Sequence, residues 1–291
     1  MLRLSLLAVL GLAACAAPPA SGPPASSADA LLRVQSFNLR LNVASDSADA
    51  WPLRREAAVA ILAEADVVGV QEALPDMLAD IDDDLPGLAR IGVGRQADGG
   101  GEYSAIYYHT DRLDRLGDGT FWLSETPGVP GSQSWDAALP RIATWGRFRD
   151  RATGDTLVVV NTHFDHVGQE ARRQSARLIL SRLDGLAEGH PVVLTGDFNV
   201  TDDSAVYRIL TDGTDLRDAR LDTEAVTGVA PTWNGFGRDP LERRIDFVFV
   251  RGPVTVRSFA TRDETIGDVL GTDNDRYPSD HFPVEAVLSL R

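Results

Sequence analysis

The chain has 291 residues, of which 43% are hydrophobic and 24% are charged, and its formal net charge at pH 7 is −15. All 28 basic residues are arginines, and no stretch is rich in them. Proteins that bind long nucleic acids neutralise phosphates along a positive groove. The charge balance therefore disfavours a polymeric substrate, although an arginine cluster can still form locally in the fold.

Residues 1–15 have the pattern of an export signal. Arg3 supplies a positive charge, residues 4–10 are apolar, and small residues precede Cys15. The apolar segment is too short to span a bilayer. Residues 12–15, Leu-Ala-Ala-Cys, resemble the bacterial lipobox, in which the cysteine is lipidated and becomes the mature N-terminus.

A plain secretory signal that is cleaved away with Cys15 is the alternative. We favour lipidation because Cys15 is the only cysteine of the chain and stands at the lipobox position. Ala16 is not the aspartate that retains enteric lipoproteins in the inner membrane. We therefore expect an exported lipoprotein on the periplasmic side of the outer membrane.

Two further regions follow the signal. Residues 16–29 contain Pro, Ala, Ser and Gly but no large apolar side chain, and this composition predicts a flexible tether. From residue 30 to residue 291 the composition is even, without repeats or a second linker, so we predict one domain.

Within that domain, apolar runs of strand length alternate with helical periodicity. We predict helices over 51–64, from Pro75 onward and over 170–186. We predict strands over 31–38, 66–72, 104–109, 156–161, 191–197, 244–250 and 283–290. This order predicts an α/β fold with a sheet core and helices outside. The turn-rich stretches 124–140 and 227–240 are longer than ordinary connections, which favours a functional role.

Polar side chains stand where several of these strands end. They are Asn38, Glu72, His163, Asp197 and Asn199, and Asp280-His281 comes just before the last strand. Strand ends at one edge of an α/β sheet are a usual place for a site. Their oxygen ligands predict a hard cation, Mg²⁺ with Mn²⁺ as a substitute, rather than zinc. Phosphoryl transfer requires such a cation, donors to the phosphate oxygens and a carboxylate that orients water.

Six motifs in order carry a resemblance to a known family. They are Ser36-Phe37-Asn38, Gln71-Glu72, Asn161-Thr162-His163, Gly196-Asp197-Phe198-Asn199, Arg244-Ile245-Asp246-Phe247 and Ser279-Asp280-His281. From about Leu31 onward the chain resembles the endonuclease/exonuclease/phosphatase superfamily, which includes deoxyribonuclease I, deadenylases, inositol polyphosphate 5-phosphatases and neutral sphingomyelinases. The resemblance implies a four-layer α/β/β/α sandwich, two mixed sheets face to face with helices outside.

The resemblance also implies roles for individual residues. Glu72 is implied as the principal metal ligand, with Asn38 and Asp280 beside it. Asp197 would orient or deprotonate the attacking water, and Asn199 would hold that water and a phosphate oxygen. His163 and His281 would bind the non-bridging oxygens. Asp246 would lie behind His281 and Glu102 behind His163.

Two further residues are candidates for substrate binding. Arg141 follows a long loop and precedes a strand, so it could clamp a phosphate with its planar guanidinium. A surface salt bridge is the alternative for Arg141. Trp233 lies on a loop before Asp246, where it could stack on a base or sugar or only pack within the loop.

These residues predict a Mg²⁺-dependent phosphoesterase, with a nuclease-type phosphodiesterase favoured. The substrate would be a phosphorylated small molecule or a nucleic-acid fragment. The alternatives are a phosphomonoesterase, a lipid or inositol phosphatase, and a binding module that has lost catalysis. We expect a monomer with no protein partner and with membrane contact through the lipid anchor.

Overall fold

A computed structural model describes residues 31–290, so the predictions for Cys15, the signal and the tether lie outside the described residues. Its strands are β1 (Leu31–Asn38), β2 (Val67–Gln71), β3 (Leu88–Ile91), β4 (Ile106–His109), β5 (Leu113–Trp122), β6 (Ile142–Asp150), β7 (Thr156–His163), β8 (Val192–Asp197), β9 (Arg217–Asp218), β10 (Val226–Thr227), β11 (Asp246–Arg251), β12 (Val254–Thr261) and β13 (Val284–Leu290). Its helices are α1 (Trp51–Leu62), α2 (Pro75–Asp84), α3 (Gln169–Ala187), α4 (Ala205–Thr211) and α5 (Ile266–Leu270).

The strands form two mixed sheets. One has seven strands in the order β10-β12-β13-β1-β2-β4-β3, and the other has six in the order β5-β6-β7-β8-β11-β9. The parallel pairs β1–β2 and β7–β8 lie near the middle of the two sheets, and they place the ends of these strands at one edge. Asn38, Gln71, His163 and Asp197 are the last residues of the four strands.

Three hydrophobic clusters build the layers. The first joins the facing surfaces of the two sheets and includes Val34, Val159 and Val248. The second packs α3 and α4 on the outer face of the six-stranded sheet. The third packs α1 and α2 on the outer face of the seven-stranded sheet. This is a four-layer α/β/β/α sandwich, and the predicted fold class is confirmed.

Polar groups also join the sheets close to the strand ends. Asn161 of β7 donates to the carbonyls of Val70 (2.8 Å) and Ala105 (2.9 Å) across the interface. Its Oδ1 accepts from Gln71 Nε2 at 2.7 Å and from Thr195 Oγ1 at 3.1 Å. Asn161 therefore fixes one sheet on the other beneath the strand ends instead of facing the pocket they form.

The strand predictions missed six strands, β3, β5, β6, β9, β10 and β12. Two of them, β5 and β6, form an antiparallel hairpin. β5 is an edge strand with glycines at 117 and 119 and mostly half-buried or exposed side chains, so it lacks the apolar run of a central strand. The loop between β5 and β6 is the long turn-rich stretch seen in the sequence. Across residues 31–290, none of the helices combines the length and the apolar character needed to cross a membrane.

Candidate active site

The strand ends surround a pocket of about 410 Å³. Its lining residues are Arg40, Leu41, Glu72, Glu102, Leu139, Arg141, His163, His166, Asp197, Asn199, Trp233, Arg243, Ile245, Asp280 and His281. Carboxylates, imidazoles and guanidiniums thus share one small cavity.

Asp197 lies at the floor of this pocket, at the end of β8, and is 1% exposed. One carboxylate oxygen accepts the Asn199 backbone N–H at 2.9 Å, and the other accepts Asn38 Nδ2 at 3.0 Å. Burial raises the pKa of Asp197 above its ordinary range, and the charge of Asp246 raises it further, while His281 opposes the shift. A carboxylate in this setting accepts a proton near neutral pH.

His281 is paired with a buried carboxylate behind it. Its Nδ1 lies 2.9 Å from Asp246 Oδ2, and its Nε2 lies 3.9 Å from Asp197 Oδ2. Thr232 Oγ1 donates to the same Asp246 oxygen at 2.6 Å. Burial alone would lower the pKa of His281, but the charge and hydrogen bond of Asp246 raise it well above its ordinary value. His281 is therefore a cation at neutral pH that points at the pocket.

His163 has a different environment. Its Nε2 lies 3.0 Å from Asn199 Nδ2 and 3.3 Å from Asp197 Oδ2. Burial lowers the pKa of His163 well below its ordinary value, and the positive charge of Arg141 lowers it further. A neutral imidazole can accept the Asn199 amide proton at Nε2.

Glu102 does not take the place that the resemblance implied for it. Its carboxylate pairs with Arg95 at 2.7 Å, and within residues 31–290 it makes no hydrogen bond to His163. The reason is local, because the backbone N–H of Arg95 also bonds the Glu102 carbonyl at 3.1 Å and brings the two side chains together. Glu102 still lines the pocket.

A second group of polar residues lies beside Asp197 in the same region. Its members are Glu72, Asn38 and Asp280. Asn38 Nδ2 bridges Glu72 Oε1 (3.1 Å) and Asp197 Oδ2 (3.0 Å), and the Leu41 N–H holds the second Glu72 oxygen at 3.0 Å. Glu72 has φ 60°, a left-handed conformation that is costly for this residue type and is found where the surroundings enforce it.

This group fits a hard divalent cation. Burial raises the pKa of Asp280; His281 opposes the shift, and the negative charge of Glu72, which lines the same pocket, adds to it. A cation between Glu72 and Asp280 would relieve this repulsion, and its protein ligands would be oxygens. Asn38 would ligate through Oδ1, which here accepts the Arg40 N–H at 3.0 Å. Asp197, Asp246 and His281 form a second buried group with ligand atoms within 4.8 Å of one another. A cation there would have to displace the bonds that Thr232 and His281 make to Asp246.

Arg141 is buried and held from behind by Asp165. Its Nε lies 3.5 Å from Asp165 Oδ2 and its Nη2 lies 2.9 Å from His166 Nδ1. Its Nη1 is buried and has no hydrogen-bond partner among the described residues, and Arg141 lines the pocket. A void of about 10 Å³ adjoins Arg141, Arg95, Glu102 and His163, the size of a single water. The surface salt bridge that the sequence left open for Arg141 is excluded by its 5% exposure.

Trp233 lies at the side of the pocket, stacked with a residue that sequence reasoning missed. The Arg243 guanidinium carbon is 3.6 Å from the centre of the Trp233 ring, and Arg243 Nη2 lies 3.1 Å from Asp239. Arg40 was missed as well, and its Nε lies 3.9 Å from Asp280 Oδ2. Arg40 stands two residues after β1, and Arg243 stands one residue before the motif that begins at Arg244. Neither is itself part of a motif, so no sequence signal distinguished them from ordinary loop arginines.

The fold and the pocket agree with the comparisons to known proteins. The chain belongs to the Endonuclease/Exonuclease/phosphatase family, whose model matches residues 36–281. Enzymes of this family hydrolyse phosphate ester bonds and generally depend on a divalent metal. Over residues 36–281 the chain is accordingly a hydrolase domain of the class that acts on phosphate esters.

Two solved structures are similar over nearly their whole length. An endonuclease/exonuclease/phosphatase from Bacteroides vulgatus is 41% identical, with a TM-score of 0.84 and coverage of 90% of this chain and 99% of that chain. A mannosyl-6-phosphatase from Bacteroides thetaiotaomicron is 38% identical, with a TM-score of 0.81 and coverage of 88% and 99%.

A curated relative from Vairimorpha ceranae is named Probable CCR4-Not complex 3'-5'-exoribonuclease subunit Ccr4. It is 27% identical over 177 residues, which is 52% of this chain and 36% of that protein. The chain spans about a third of the length of the curated relatives it matches.

Proposed function

We propose that this protein is a divalent-metal-dependent phosphomonoesterase that acts on small phosphorylated molecules, with sugar phosphates as the first class to test. The observation that carries the proposal is the buried guanidinium of Arg141, anchored by Asp165 in a pocket of about 410 Å³. A phosphomonoester is close to a dianion at neutral pH because its second pKa is about 6. A fixed arginine and a cationic His281 favour that charge over the single charge of a diester.

Asp197 is the proposed proton acceptor for water. Its raised pKa suits a general base, and Asn199 is close enough to Asp197 and His163 to orient the water and a phosphate oxygen. His281, held by Asp246, neutralises charge on the phosphate and can protonate the leaving oxygen. His163 is proposed to donate to a phosphate oxygen, as a neutral group, through the ring nitrogen that does not accept from Asn199.

Glu72, Asn38 and Asp280 are the residues proposed to hold the cation, Mg²⁺ or Mn²⁺. When bound there, such a cation offsets phosphate charge and polarises the ester. Asn38 links this group to Asp197 through one amide, so the water-activating carboxylate and the cation ligands keep a fixed spacing.

The stacked pair of Trp233 and Arg243 forms the proposed contact for the leaving group. Both line the pocket, and Asp239 fixes the arginine. A flat aromatic ring beside polar groups is suited to a sugar ring. A sugar phosphate as substrate is supported by the similarity to the mannosyl-6-phosphatase from Bacteroides thetaiotaomicron. The match covers 99% of that protein's chain.

A phosphodiesterase is the second candidate, as the sequence favoured. It is supported by the similarity to the exoribonuclease subunit, which covers 52% of this chain. The two candidates share the hydrolytic residues and differ in the substrate that the pocket accepts.

A substrate panel tests the proposal. Hydrolysis of mannose 6-phosphate, p-nitrophenyl phosphate, bis-p-nitrophenyl phosphate and single-stranded RNA is measured with Mg²⁺, Mn²⁺ or EDTA, and the Asp197→Asn variant is the control. We expect the monoesters to be cleaved with higher kcat/KM than the diesters, EDTA to abolish activity, and Asp197→Asn to reduce kcat about 10²–10⁴-fold. Faster cleavage of RNA or the bis-ester would replace the first candidate with the second.

We further propose that lipid on Cys15 anchors the enzyme to the periplasmic side of the outer membrane and that the enzyme acts there as a monomer. The lipobox-like residues 12–15 support the anchor. Membrane fractionation of a Cys15→Ser variant tests it, and retention of that variant in the membrane fraction would contradict it.

A further inference from the structure

Arg54 is a buried arginine outside the pocket that bonds only to backbone carbonyls. It lies on α1, is 1% exposed, and within residues 31–290 makes no ion pair with a carboxylate. Its hydrogen bonds are Nε to the Asp49 carbonyl (2.7 Å), Nη1 to the carbonyls of Leu39 (2.5 Å) and Pro278 (2.9 Å), and Nη2 to the carbonyl of Arg40 (2.7 Å).

These carbonyls belong to two loops that are far apart in sequence. Leu39 and Arg40 directly follow Asn38, and Pro278 stands two residues before Asp280. Asn38 and Asp280 are two of the three proposed cation ligands. One guanidinium therefore joins the loops that carry them, and it bonds to both loops through the same nitrogen.

Other contacts close the same junction. Ser279 Oγ donates to the Asn38 carbonyl at 2.6 Å, between the same two loops. The Arg54 guanidinium also lies 5.5 Å from the ring centres of Trp51 and of Phe236, and Phe236 comes from the loop whose Asn234 N–H bonds the Asp280 carbonyl at 2.8 Å. Arg54 is thus enclosed, and its planar group is held in one orientation.

We propose that Arg54 is a positioning residue that clamps the loop after β1 to the loop before β13, so that Asn38 and Asp280 face the same cation. The inference rests on the proposed function, because it needs a cation at Glu72, Asn38 and Asp280. Burying a charged guanidinium without a carboxylate is costly, and four short bonds to carbonyls offset that cost. Apolar packing alone could anchor α1 to the sheet, so anchoring the helix does not explain why a charged residue is buried there. Fixing the geometry of the two loops does explain it.

The planar fork of arginine is necessary for this role. Its nitrogens reach four carbonyls in different directions, whereas a lysine presents one nitrogen on a flexible stem. Arg54→Lys keeps the positive charge and most of the volume but releases at least one of the loops. The charge near Asp280 is then retained while the spacing of Asn38 and Asp280 is lost.

Mn²⁺ binding tests the proposal without relying on activity. Titration calorimetry of the full chain gives the Kd for Mn²⁺ of the wild type, Arg54→Lys, Ser279→Ala and Arg112→Lys, with circular dichroism as the check of folding. Arg112 is a matched control, because it also bonds a backbone carbonyl of β1, but at the end of the strand away from Asn38. It donates to the carbonyl of Leu31 at 2.9 Å and pairs with the buried Asp150 of β6. We expect the Kd of Arg54→Lys to rise about 10–100-fold, the loss typical of residues that orient metal ligands, and that of Arg112→Lys to stay unchanged.

Ser279→Ala keeps the test valid if Arg54→Lys does not fold, since it removes the second link between the same loops. The Ser279 hydroxyl also lies 3.4 Å from Asp280 Oδ1 and accepts the His281 N–H at 3.3 Å, so this variant loosens the loop before β13 at the cation ligand itself. It should weaken Mn²⁺ binding in the same direction. The control is Glu72→Gln, which must abolish Mn²⁺ binding. Given that, an unchanged Kd in folded Arg54→Lys overturns the role of Arg54 alone. If Arg54→Lys fails to fold, an unchanged Kd in Ser279→Ala overturns it instead. A wild type that binds no Mn²⁺, or binds it equally well as Glu72→Gln, overturns the cation site and the clamp together.

Discussion

Asp165 is a single carboxylate that fixes the loop before β6, the start of α3 and Arg141, the residue proposed to bind phosphate. It is 1% exposed. It accepts hydrogen bonds from the backbone N–H groups of Val167 (3.0 Å), Gly168 (2.7 Å), Ala138 (3.1 Å) and Leu139 (3.3 Å), and from Arg141 Nε (3.5 Å). Burial alone would raise the pKa of Asp165, but the backbone donors of Gly168, Ala138 and Val167 hold it below its ordinary value.

Asp165→Asn should lower both stability and substrate binding. We expect the free energy of unfolding at pH 7 to fall by about 2–4 kcal/mol, because an amide nitrogen then faces buried donors. The KM for p-nitrophenyl phosphate should rise more than kcat falls, because Arg141 loses its anchor. Urea unfolding and steady-state kinetics measure these effects.

The stability difference should depend on pH with a definite sign. The folded-state pKa lies below the unfolded value of about 3.9, so the ionised carboxylate contributes fully above that pH. The difference between wild type and Asp165→Asn should therefore shrink as the pH falls through the lower folded-state pKa. Asp111→Asn, which changes a side chain that is 90% exposed, is the control. A pH-independent difference would contradict the linkage.

At the scale of elements, sequence reasoning succeeded where a buried strand carries its own signal. The apolar runs before Asn38, Glu72 and Asp197 predicted central strands, and they lie in β1, β2 and β8. The meeting of those strand ends in one pocket could be foreseen because parallel neighbours in a sheet end at one edge. The fold class followed from the order of the elements.

Other features of the site depend on contacts between loops, and such contacts leave no periodic pattern in the sequence. Glu102 pairs with Arg95 because a loop brings their backbones together, and nothing in the spacing of the two residues distinguishes that pairing from a bond to His163. Thr232, which supports Asp246, stands in a turn-rich stretch 14 residues away. Arg54 looks like an ordinary charged helix residue, since only the paths of distant loops bring carbonyls to it.

The close approach of the two sheets at Gly69 leads to a prediction. A Cβ on this residue of β2 would lie 2.3 Å from Thr195 Oγ1 and 2.5 Å from Asn161 Oδ1, the atoms that join the sheets. Gly69→Ala should therefore cost about 1–3 kcal/mol of unfolding free energy and should reduce hydrolysis, because it separates the strands that carry Glu72 and Asp197.

Gly185→Ala is the matched control for that substitution. Gly185 lies in α3, and a Cβ there meets nothing within 4 Å. Replacing a helical glycine by alanine should stabilise the protein by about 0.5–1 kcal/mol and leave hydrolysis unchanged. Urea denaturation compares the two variants. Equal stability of Gly69→Ala and the wild type would show that the sheets tolerate a wider spacing at this point.

On the scale of the whole molecule, charge is distributed in a way that favours small anions over polymers. The net charge is −15, yet the pocket is lined by three arginines, Arg40, Arg141 and Arg243. Arg40 pairs with Asp46 and Arg243 pairs with Asp239, each within 3.1 Å. The pocket sets these arginines beside four carboxylates, Glu72, Glu102, Asp197 and Asp280, so a bound cation would tip its balance toward a small anion. The acidic remainder of the protein repels an extended chain of phosphates.

Weak RNA binding is the expected result of this charge distribution. Fluorescence anisotropy with a 20-nucleotide single-stranded RNA and the Asp197→Asn variant, in Mg²⁺ and about 150 mM salt, should give a Kd weaker than about 10⁻⁴ M, the weak end of non-specific binding. Each phosphate that a protein neutralises on a single strand adds about −0.7 to the slope of log K against log salt. A micromolar Kd for RNA with a slope of several such steps would reveal a track of phosphate contacts beyond the pocket, and would make the phosphodiesterase the better account of this fold.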